Sequence, residues 1–192
     1  MYRRKRSGFY FSAGFTLIEL LVSIAVLAIL VTTVIPSFGS FIAQNRLEVA
    51  GESIFSDLNF ARTEVITRGS NAQISVSFST DGADSWCYGL STNASCDCSL
   101  TDITDANACV LDRGGVSTLK TVSSERFEGV NMTSAIFGAD NYTHFSALRS
   151  KAASGLVGLS TNSGEQLQIS VTALGRLRIC TPNASMTQYS AC

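Results

Sequence analysis

The pattern of apolar and polar residues divides the chain into three parts with different periods. Residues 15–35 are almost all apolar, and a single charge, Glu19, interrupts the run. At 1.5 Å per residue, these 21 residues would form a helix about 32 Å long, enough to cross a hydrocarbon core of about 30 Å. The first part of the chain therefore predicts a transmembrane helix.

After Pro36 the pattern becomes amphipathic with a helical period. Apolar residues recur at intervals of three or four, and polar residues occupy the opposite face. The apolar stripe consists of Leu47, Ala50, Ile54, Leu58, Ala61 and Val65. Arg68 followed by Gly69 indicates a helix end, because a cation suits the last turn and glycine suits the next position. We expect one helix from Phe15 to about Arg68, with its stripe packed against a core.

Beyond Gly69 the period changes from 3.6 to 2, which is typical of half-buried strands. Ile74, Val76 and Phe78 alternate with polar residues in the first such segment. Further strands are predicted at residues 86–90, 116–122, 126–132, 142–148, 155–160, 167–171 and 177–179. The sequence therefore predicts an α+β fold, in which one long helix packs on a small antiparallel β-sheet or sandwich domain.

The N-terminus carries several distinctive residues at fixed spacing. The basic cluster Arg3-Arg4-Lys5-Arg6 precedes Gly14, Phe15 and Glu19, and it would hold the N-terminus in the cytoplasm. Glu19 is the fifth residue after Gly14. A carboxylate at that depth in a membrane is costly and needs a partner, but no basic residue lies within helical reach. We therefore expect the partner of Glu19 to come from another chain.

This arrangement resembles the leader of type IV prepilins. The resemblance implies that a prepilin peptidase cuts after Gly14 and N-methylates Phe15, and that the new ammonium of one subunit faces Glu19 of its neighbour. Pro36 falls where pilin helices commonly bend. An ordinary secretory signal would have a shorter apolar core and a small-residue cleavage site behind it. A plain signal anchor would explain the basic cluster but not Glu19.

Later segments narrow the resemblance to minor pilins and pseudopilins of the GspH/FimT type. These segments are residues 57–68, Trp86-Cys87-Tyr88-Gly89-Leu90, Cys96-Asp97-Cys98 and Gly175-Arg176-Leu177-Arg178, whereas residues 110–150 match only loosely. The resemblance implies two small sheets beside the helix, and a subunit that helps initiate or cap a filament. A minor type IV pilin is the first interpretation, and a type II secretion pseudopilin is the alternative.

This interpretation divides the chain into four segments. They are a cleaved leader at 1–14, a transmembrane or filament-core helix at 15–36, the amphipathic half of the helix at 37–69, and an extracytoplasmic β domain at 70–192. The expected location is the bacterial inner membrane, with one pass and a periplasmic domain, and then the pilus or periplasmic pseudopilus. The expected partners are other major and minor pilins, the inner-membrane assembly platform and the prepilin peptidase.

The cysteines predict disulfides. All six lie at or beyond Trp86, and an even number in an exported, oxidising compartment favours three bridges without a free thiol. Cys180 and Cys192 are the natural terminal pair. Among the other four, bridging Cys96 to Cys98 would be strained, so we favour Cys87–Cys96 and Cys98–Cys109. A metal site at Cys96-Asp97-Cys98 is less favoured, since zinc ligands are usually spaced more widely.

Charge sets a limit on nucleic-acid binding. Without residues 1–14 the chain has 10 basic and 15 acidic residues, a net charge of -5, and residues 81–112 contain six aspartates but no Lys or Arg. Bulk attraction to DNA is therefore not expected, and any binding would be local. Arg176 and Arg178, two residues apart on a predicted strand, would share one face and could hold phosphates.

The resemblance adds a DNA-binding alternative. In the DNA-uptake members of the family the late motif has a third arginine, and the arginines bind DNA. Cys180 occupies that third position in this chain. A minor pilin that binds double-stranded DNA for natural transformation therefore stays an alternative, with Arg149 and Lys151 as additional candidates beside Arg176 and Arg178.

Catalytic and cofactor chemistry have little support in the sequence. The only histidine, His144, has no nucleophile-elbow motif nearby, and no glycine-rich phosphate loop precedes a helix. Several loop acids and amides could meet calcium but lack EF-hand spacing: Asp81, Asp84, Asp102, Asp105 and Asn107. We expect no enzymatic activity, no cofactor and no metal.

Overall fold

One long helix, α1 (Leu17–Arg68), opens the fold, as the apolar pattern predicted. The computed structural model describes residues 14–69, 71–147 and 151–192, without the side chains of 33–37. The chain divides into two compact units, Met1–Gly39 and Ser40–Cys192, and α1 runs through the boundary. Residues 1–13 of the predicted leader and the bend predicted at Pro36 lie outside what is described.

The first unit contains the apolar part of α1. Within the described part of the chain, no helix has both the length and the apolarity that crossing a membrane requires. That finding does not bear out the transmembrane helix predicted at residues 15–36, which include the side chains at 33–37 that are not described.

Eleven strands follow α1 in the described residues, and all strand pairs within the sheets are antiparallel. They are β1 (Gln73–Thr80), β2 (Trp86–Ser91), β3 (Val110–Arg113), β4 (Val116–Leu119), β5 (Thr121–Ser123), β6 (Val130–Ile136), β7 (Tyr142–Ser146), β8 (Lys151–Ala152), β9 (Gly155–Thr161), β10 (Gln166–Val171) and β11 (Leu177–Cys180). One sheet has the order β5-β2-β1-β7-β8 and the other β11-β10-β9-β6, while β3 and β4 form a separate hairpin. The α+β fold class and the two sheets are confirmed.

The predicted stripe of α1 forms one side of the core. Its six residues are at most 1% exposed, and they pack with inward-facing residues of both sheets, including Val76, Tyr88 and Ile169. Gly51 lies beside this stripe. A side chain there would collide with Leu167 of β10, so the glycine permits close approach of helix and sheet. The stripe prediction is confirmed.

The first sheet is covered on both faces, which the alternating pattern of β1 did not predict. Ser75 and Ser77, expected to face solvent, are at most 3% exposed. The Ser75 hydroxyl donates to the carbonyl of Asn93 at 2.6 Å, and the Cys96 N–H donates to the Ser77 hydroxyl at 3.0 Å. The cysteine-containing loop therefore packs on the outer face, and its hydrogen bonds satisfy the buried serines.

Two predicted strands have different boundaries in the structure. The segment 116–122 is split into β4 and β5 at Lys120, whose N–H donates to the Cys109 carbonyl at 2.8 Å. A 3-10 turn, Ser124–Arg126, takes up the start of the strand predicted at 126–132. The Ser123 hydroxyl caps this turn by accepting from the Glu125 N–H at 3.2 Å. Only from Val130 is the segment a strand. β3 and β8 were not predicted.

Candidate functional site

The residues just before α1 form an exposed N-terminal segment. Gly14, Phe15 and Thr16 precede the helix, and the Phe15 side chain is 86% exposed. The Glu19 N–H donates to Oγ1 of Thr16 at 3.3 Å and to its carbonyl at 3.1 Å. Thr16 is therefore the N-cap, and Thr-x-x-Glu is a capping-box pattern that was not recognised from the sequence. The predicted cut after Gly14 would leave this cap intact.

Glu19 lies in the first turn of α1, where a carboxylate favourably meets the positive end of the helix dipole. The Ser23 hydroxyl donates to its backbone carbonyl at 2.7 Å. Its carboxylate forms no hydrogen bond or ion pair with residues of the described ranges. The structure therefore shows Glu19 exposed and available, and its pairing with a neighbouring chain stays a prediction.

The side chains around Glu19 form a long exposed apolar surface. The large apolar residues from Phe15 to Val31 are between 45% and 86% exposed. They are Phe15, Leu17, Ile18, Leu20, Leu21, Val22, Ile24, Val26, Leu27, Ile29, Leu30 and Val31. Apolar surface of this extent is characteristic of a region that lipid or another protein covers.

The opposite end of α1 is held by three charged groups, of which only Arg68 was singled out from the sequence, as the cation of the last turn. Glu64 accepts from Nε of Arg68 at 3.0 Å and from Nε of Arg113 at 2.9 Å, and the Arg113 guanidinium lies 5.4 Å from the Phe60 ring centre. The two guanidinium groups hold the pKa of Glu64 below its ordinary value, Arg113 contributing most. The helix end at residues 57–68 thus has a structural role.

Asp57 makes a second link between α1 and the sheet. It accepts a hydrogen bond from the Tyr88 hydroxyl at 2.9 Å and pairs with Lys120 at 3.4 Å. Burial, and then the charge of Asp57, raise the pKa of the Tyr88 hydroxyl. Tyr88 belongs to the Trp-Cys-Tyr-Gly-Leu segment of β2, so this motif also serves packing.

All six cysteines form disulfides, which confirms three bridges and no free thiol. Cys180–Cys192 is the predicted pair. The predicted Cys87–Cys96 and Cys98–Cys109 bridges are wrong, since the pairs are Cys87–Cys98 and Cys96–Cys109.

Gly89 explains the observed pairing. Its neighbour in the sheet, Ser77, binds the Cys96 N–H, which brings Cys96 over this part of the sheet. The missing side chain of Gly89 leaves the space that the Cys109 sulfur occupies. Cys96 and Cys109 therefore meet above Gly89, and Cys98 pairs with Cys87 instead.

The Cys180–Cys192 bridge closes a C-terminal loop that packs on α1. Met186 of this loop is 1% exposed. The Gln188 side-chain amide donates to Glu48 at 2.8 Å, and the Tyr189 hydroxyl donates to Glu52 at 3.1 Å. Partial burial, followed by the Glu52 carboxylate, raises the pKa of Tyr189. The loop thus fastens the end of the chain to the helix.

The proposed pair of strand arginines is only partly as predicted. Both side chains are exposed, but Arg178 lies on β11 while Arg176 lies in the preceding turn, where its N–H donates to the Thr172 hydroxyl at 3.0 Å. The Arg178 guanidinium donates to the Ser190 hydroxyl at 3.1 Å and to the Ala191 carbonyl at 3.0 Å. Hydrogen bonds to the C-terminal loop therefore engage Arg178, one of the two arginines.

The other predicted DNA contacts lie near that turn or outside the described residues. The Ala152 N–H donates to the Ala173 carbonyl at 3.1 Å, which joins β8 to the turn before β11. The exposed Lys151 thus lies on the strand that adjoins the turn carrying Arg176. Arg149 is among the residues that are not described.

Two of the loop acids considered for calcium, Asp102 and Asp105, cap their own turns. Asp102 accepts from the Thr104 hydroxyl at 2.7 Å and from the Thr104 N–H at 2.9 Å, which lowers the pKa of Asp102. Asp105 accepts from the Asn107 N–H at 2.8 Å. In the described ranges no three metal-ligating side chains come together. His144 lies on β7 opposite Ser75 and is half-buried.

Two separate parts of the chain match known protein families. Residues 11–35 match the prokaryotic N-terminal methylation motif. Residues 50–175, more than half of the chain, match the type II transport protein GspH. The chain belongs to the GspH family. No curated protein and no solved structure matches.

Membership of the GspH family, together with the methylation motif, identifies a minor pilin or pseudopilin. Such subunits assemble with other pilins and are substrates of the prepilin peptidase. The exposed apolar surface around Glu19 lies largely within the matched methylation motif, whereas the disulfides of the cysteine loop lie within the GspH match. Both resemblances found in the sequence are confirmed.

Proposed function

We propose that this GspH-family chain is a minor type IV pilin that helps initiate or cap a filament, without enzymatic activity. A prepilin peptidase cuts after Gly14 and methylates Phe15. The apolar half of α1 anchors the subunit in the bacterial inner membrane, with the β domain in the periplasm, until the subunit enters the pilus. The observation that carries the proposal is the exposed apolar surface of residues 15–31, which contains one carboxylate, Glu19, without a partner among the described residues.

The physical argument rests on what this surface needs. Cleavage creates an ammonium at Phe15, the positive group that the apolar segment otherwise lacks. In a low-dielectric surrounding, an ammonium and the Glu19 carboxylate are each costly alone and much less so as a pair. When helices of neighbouring subunits pack side by side, their apolar surfaces cover one another and bring these two charges together. A filament thereby supplies both the cover and the partner.

The processing step has a direct test. Intact-mass measurement of the membrane-extracted chain should give a polypeptide that begins at Phe15 and carries one additional methyl group. A mature chain that begins at any other residue would remove the pilin proposal. Replacing Gly14 by a larger residue should leave the leader attached, and the longer mass reports it.

The docking step is tested with Glu19→Ala and a matched control, Ser23→Ala. Ser23 lies one turn further along, and in the described ranges its hydroxyl donates to the Glu19 carbonyl alone. Glu19→Ala should keep normal membrane insertion but lose most incorporation into sheared filaments, measured by immunoblot. Ser23→Ala should incorporate normally. Equal incorporation of both variants would contradict a docking role for Glu19.

A type II secretion pseudopilin is the second candidate, and the match to the type II transport protein GspH favours it. Both functions use the same leader and helix. A deletion strain separates them, because loss of surface pili with normal protein secretion supports the pilus. Loss of secretion with normal pili supports the pseudopilus.

DNA binding is a third candidate with one observation in its favour. The Arg176 side chain is exposed and has no hydrogen bond or ion pair in the described ranges, and Lys151 adjoins its turn. The detergent-solubilised full chain should bind short duplex DNA with a salt slope of about -2, since roughly 0.9 counterions are released per phosphate contact. Arg176→Gln with Lys151→Gln should abolish binding, while Arg126→Gln should not. No binding at low salt removes this candidate.

A further inference from the structure

The bond at the predicted cut, between Gly14 and Phe15, lies just outside α1. Both residues are exposed, and the helix begins at Leu17. The Gly14 carbonyl accepts no hydrogen bond from a described residue. One more turn of helix towards the N-terminus would change this, because the Gly14 carbonyl would then accept from the N–H of Ile18, four residues further on. The place where α1 begins therefore decides whether this carbonyl is free.

Hydrolysis of the bond requires access to that carbonyl. Water adds to the Gly14 carbonyl carbon and the bond to the Phe15 nitrogen breaks, so that a Gly14 carboxylate and a Phe15 ammonium are formed. A peptide bond inside a helix resists this step, because its carbonyl and N–H are hydrogen-bonded and the adjacent turns cover it. Exposed segments outside regular structure are the ones that proteases cut most readily. A peptidase that meets Gly14 outside the helix has no turn to unwind.

Thr16 holds the start of α1 at this place. Its carbonyl accepts from the Leu20 N–H at 3.2 Å, the first bond of the α-helical pattern. Its hydroxyl accepts from the Glu19 N–H at 3.3 Å, which satisfies a donor that has no partner further back in the helix. Threonine is well suited to this N-cap position, whereas alanine and valine are strongly disfavoured there. The Thr16 hydroxyl thus favours the helix start that leaves Gly14 outside.

Gly14 and Thr16 contribute to this arrangement in different ways. A side chain at Gly14 would meet no described atom within 4 Å, so packing within the chain does not require a glycine there. Glycine is, however, a poor residue for a helix interior, so it opposes extension of α1 towards the leader. Thr16 acts through the backbone of the first turn and lies beyond the bond that is cut.

We propose that Thr16 is a positioning residue for leader cleavage, since its hydroxyl caps α1 and keeps the Gly14–Phe15 bond outside the helix. The inference deepens the proposed function and rests on it, because it assigns how the chain prepares the processing step. Without this cap the helix start moves towards the leader, where Ser12 is the next residue of a type favoured at the N-cap. Gly14 would then lie in the first turn.

Four substitutions of Thr16 in the full-length precursor separate capping from side-chain shape. Serine and asparagine can cap, whereas alanine and valine cannot, and valine has the shape of threonine without its hydroxyl. Cleavage of the detergent-solubilised precursor by a purified prepilin peptidase is followed by intact mass. The value of kcat/KM should fall about five-fold in Thr16→Ala and Thr16→Val, the effect of losing a typical N-cap. It should stay within about two-fold in Thr16→Ser and Thr16→Asn. Faster cleavage of Thr16→Val than of Thr16→Asn would overturn the inference, because the peptidase would then be reading shape.

Two further measurements distinguish positioning from direct contact with the peptidase. The loss in Thr16→Ala should appear as a higher KM with unchanged kcat, because a smaller share of the precursor has the form that binds. A side chain that contacted the reacting atoms would lower kcat instead. Amide exchange measured by NMR in the same detergent should show a slower Ile18 N–H in Thr16→Ala, with Val22 unchanged as the internal reference. Equal Ile18 exchange in the two precursors, or a fall in kcat alone, would contradict the positioning role.

Failure of this inference is distinguishable from failure of the proposed function. If the unaltered precursor is cut after Gly14 and all four Thr16 variants are cut at the same rate, the chain is still processed as a pilin and only the role of Thr16 is wrong. If the unaltered precursor is not cut after Gly14, the proposed function fails and the inference fails with it. The effect of Glu19→Ala on incorporation is measured on mature chains and does not depend on the rate of cleavage.

Discussion

The two halves of α1 follow opposite rules for apolar residues. Between Leu47 and Val65 the six residues of the apolar stripe are at most 1% exposed. Between Leu17 and Val31 the large apolar residues lie all round the helix and are at least 45% exposed. A stripe needs one partner surface, which the chain's own sheets supply. An apolar surface on all sides needs partners on all sides, which one small domain cannot supply, so it indicates lipid or other subunits.

The difference between the two halves predicts that a leucine-to-alanine substitution lowers stability strongly in the buried half and hardly at all in the exposed half. Leu58→Ala should lower the free energy of unfolding by about 2–5 kcal/mol, because it leaves a cavity in the core. Leu20→Ala, at 58% exposure, should change it by less than about 0.5 kcal/mol. Guanidinium unfolding in detergent, followed by the fluorescence of Trp86, measures both. A large loss of stability from Leu20→Ala would break the comparison.

The loop closed by Cys180–Cys192 should contribute to the buried half of α1, because it fastens Met186, Gln188 and Tyr189 to the helix. Replacing both cysteines by serine should cost about 3 kcal/mol, the usual value for a loop of this size. Limited proteolysis should then cut the loop first. Tyr142→Phe, on the distant strand β7, serves as a control that leaves the loop uncut.

Two glycines sharpen the comparison further. Gly51→Ala should destabilise by about 1–3 kcal/mol, because the new methyl group would meet Leu167 in a packed core. A methyl group added at Gly39 would meet no neighbouring atom within 4 Å. Gly39→Ala should therefore be neutral or should stabilise by up to about 1 kcal/mol through helix propensity. Opposite signs in the unfolding experiment are the expected outcome.

The part of this architecture that could be predicted from sequence depends on local signals. The stripe from Leu47 to Val65 repeats a period of 3.6 over several turns, and that repeat alone orients the helix. Apolar residues at every second position likewise predicted the strands β1 and β10. The prepilin leader is also local, since Gly14, Phe15 and Glu19 lie within six residues.

What could not be predicted depends on residues distant in sequence. The cysteine pairing follows from Gly89, whose missing side chain makes room for Cys109 twenty residues later. The burial of Ser75 depends on a carbonyl from the Asn93 loop. The engagement of Arg178 depends on the C-terminal loop. Each is a long-range contact that periodicity does not encode, although Thr16 and Ser123 were local caps that the sequence could have revealed.

The smallest predicted effect concerns pH at the end of the buried half. Arg113 and Arg68 lower the pKa of Glu64 in the folded chain below the ordinary value of 4.5. A depressed folded pKa adds stability that is fully present above pH 4.5 and is lost as the pH falls through the folded value. Glu64→Gln should therefore flatten the decrease in stability below pH 4.5, measured by urea unfolding at several pH values.

The control for this prediction is Glu125→Gln, an exposed carboxylate without a hydrogen bond to its side chain in the described ranges. It should leave the acid limb of the stability curve unchanged. Arg113→Gln should reproduce most of the Glu64→Gln effect, because Arg113 is the largest cause of the lowered pKa. If Glu64→Gln and Glu125→Gln gave identical pH profiles, the Glu64 cluster would not anchor this end of α1. The buried half would then depend on its apolar stripe alone, and the difference between the two halves would be one of apolar packing only.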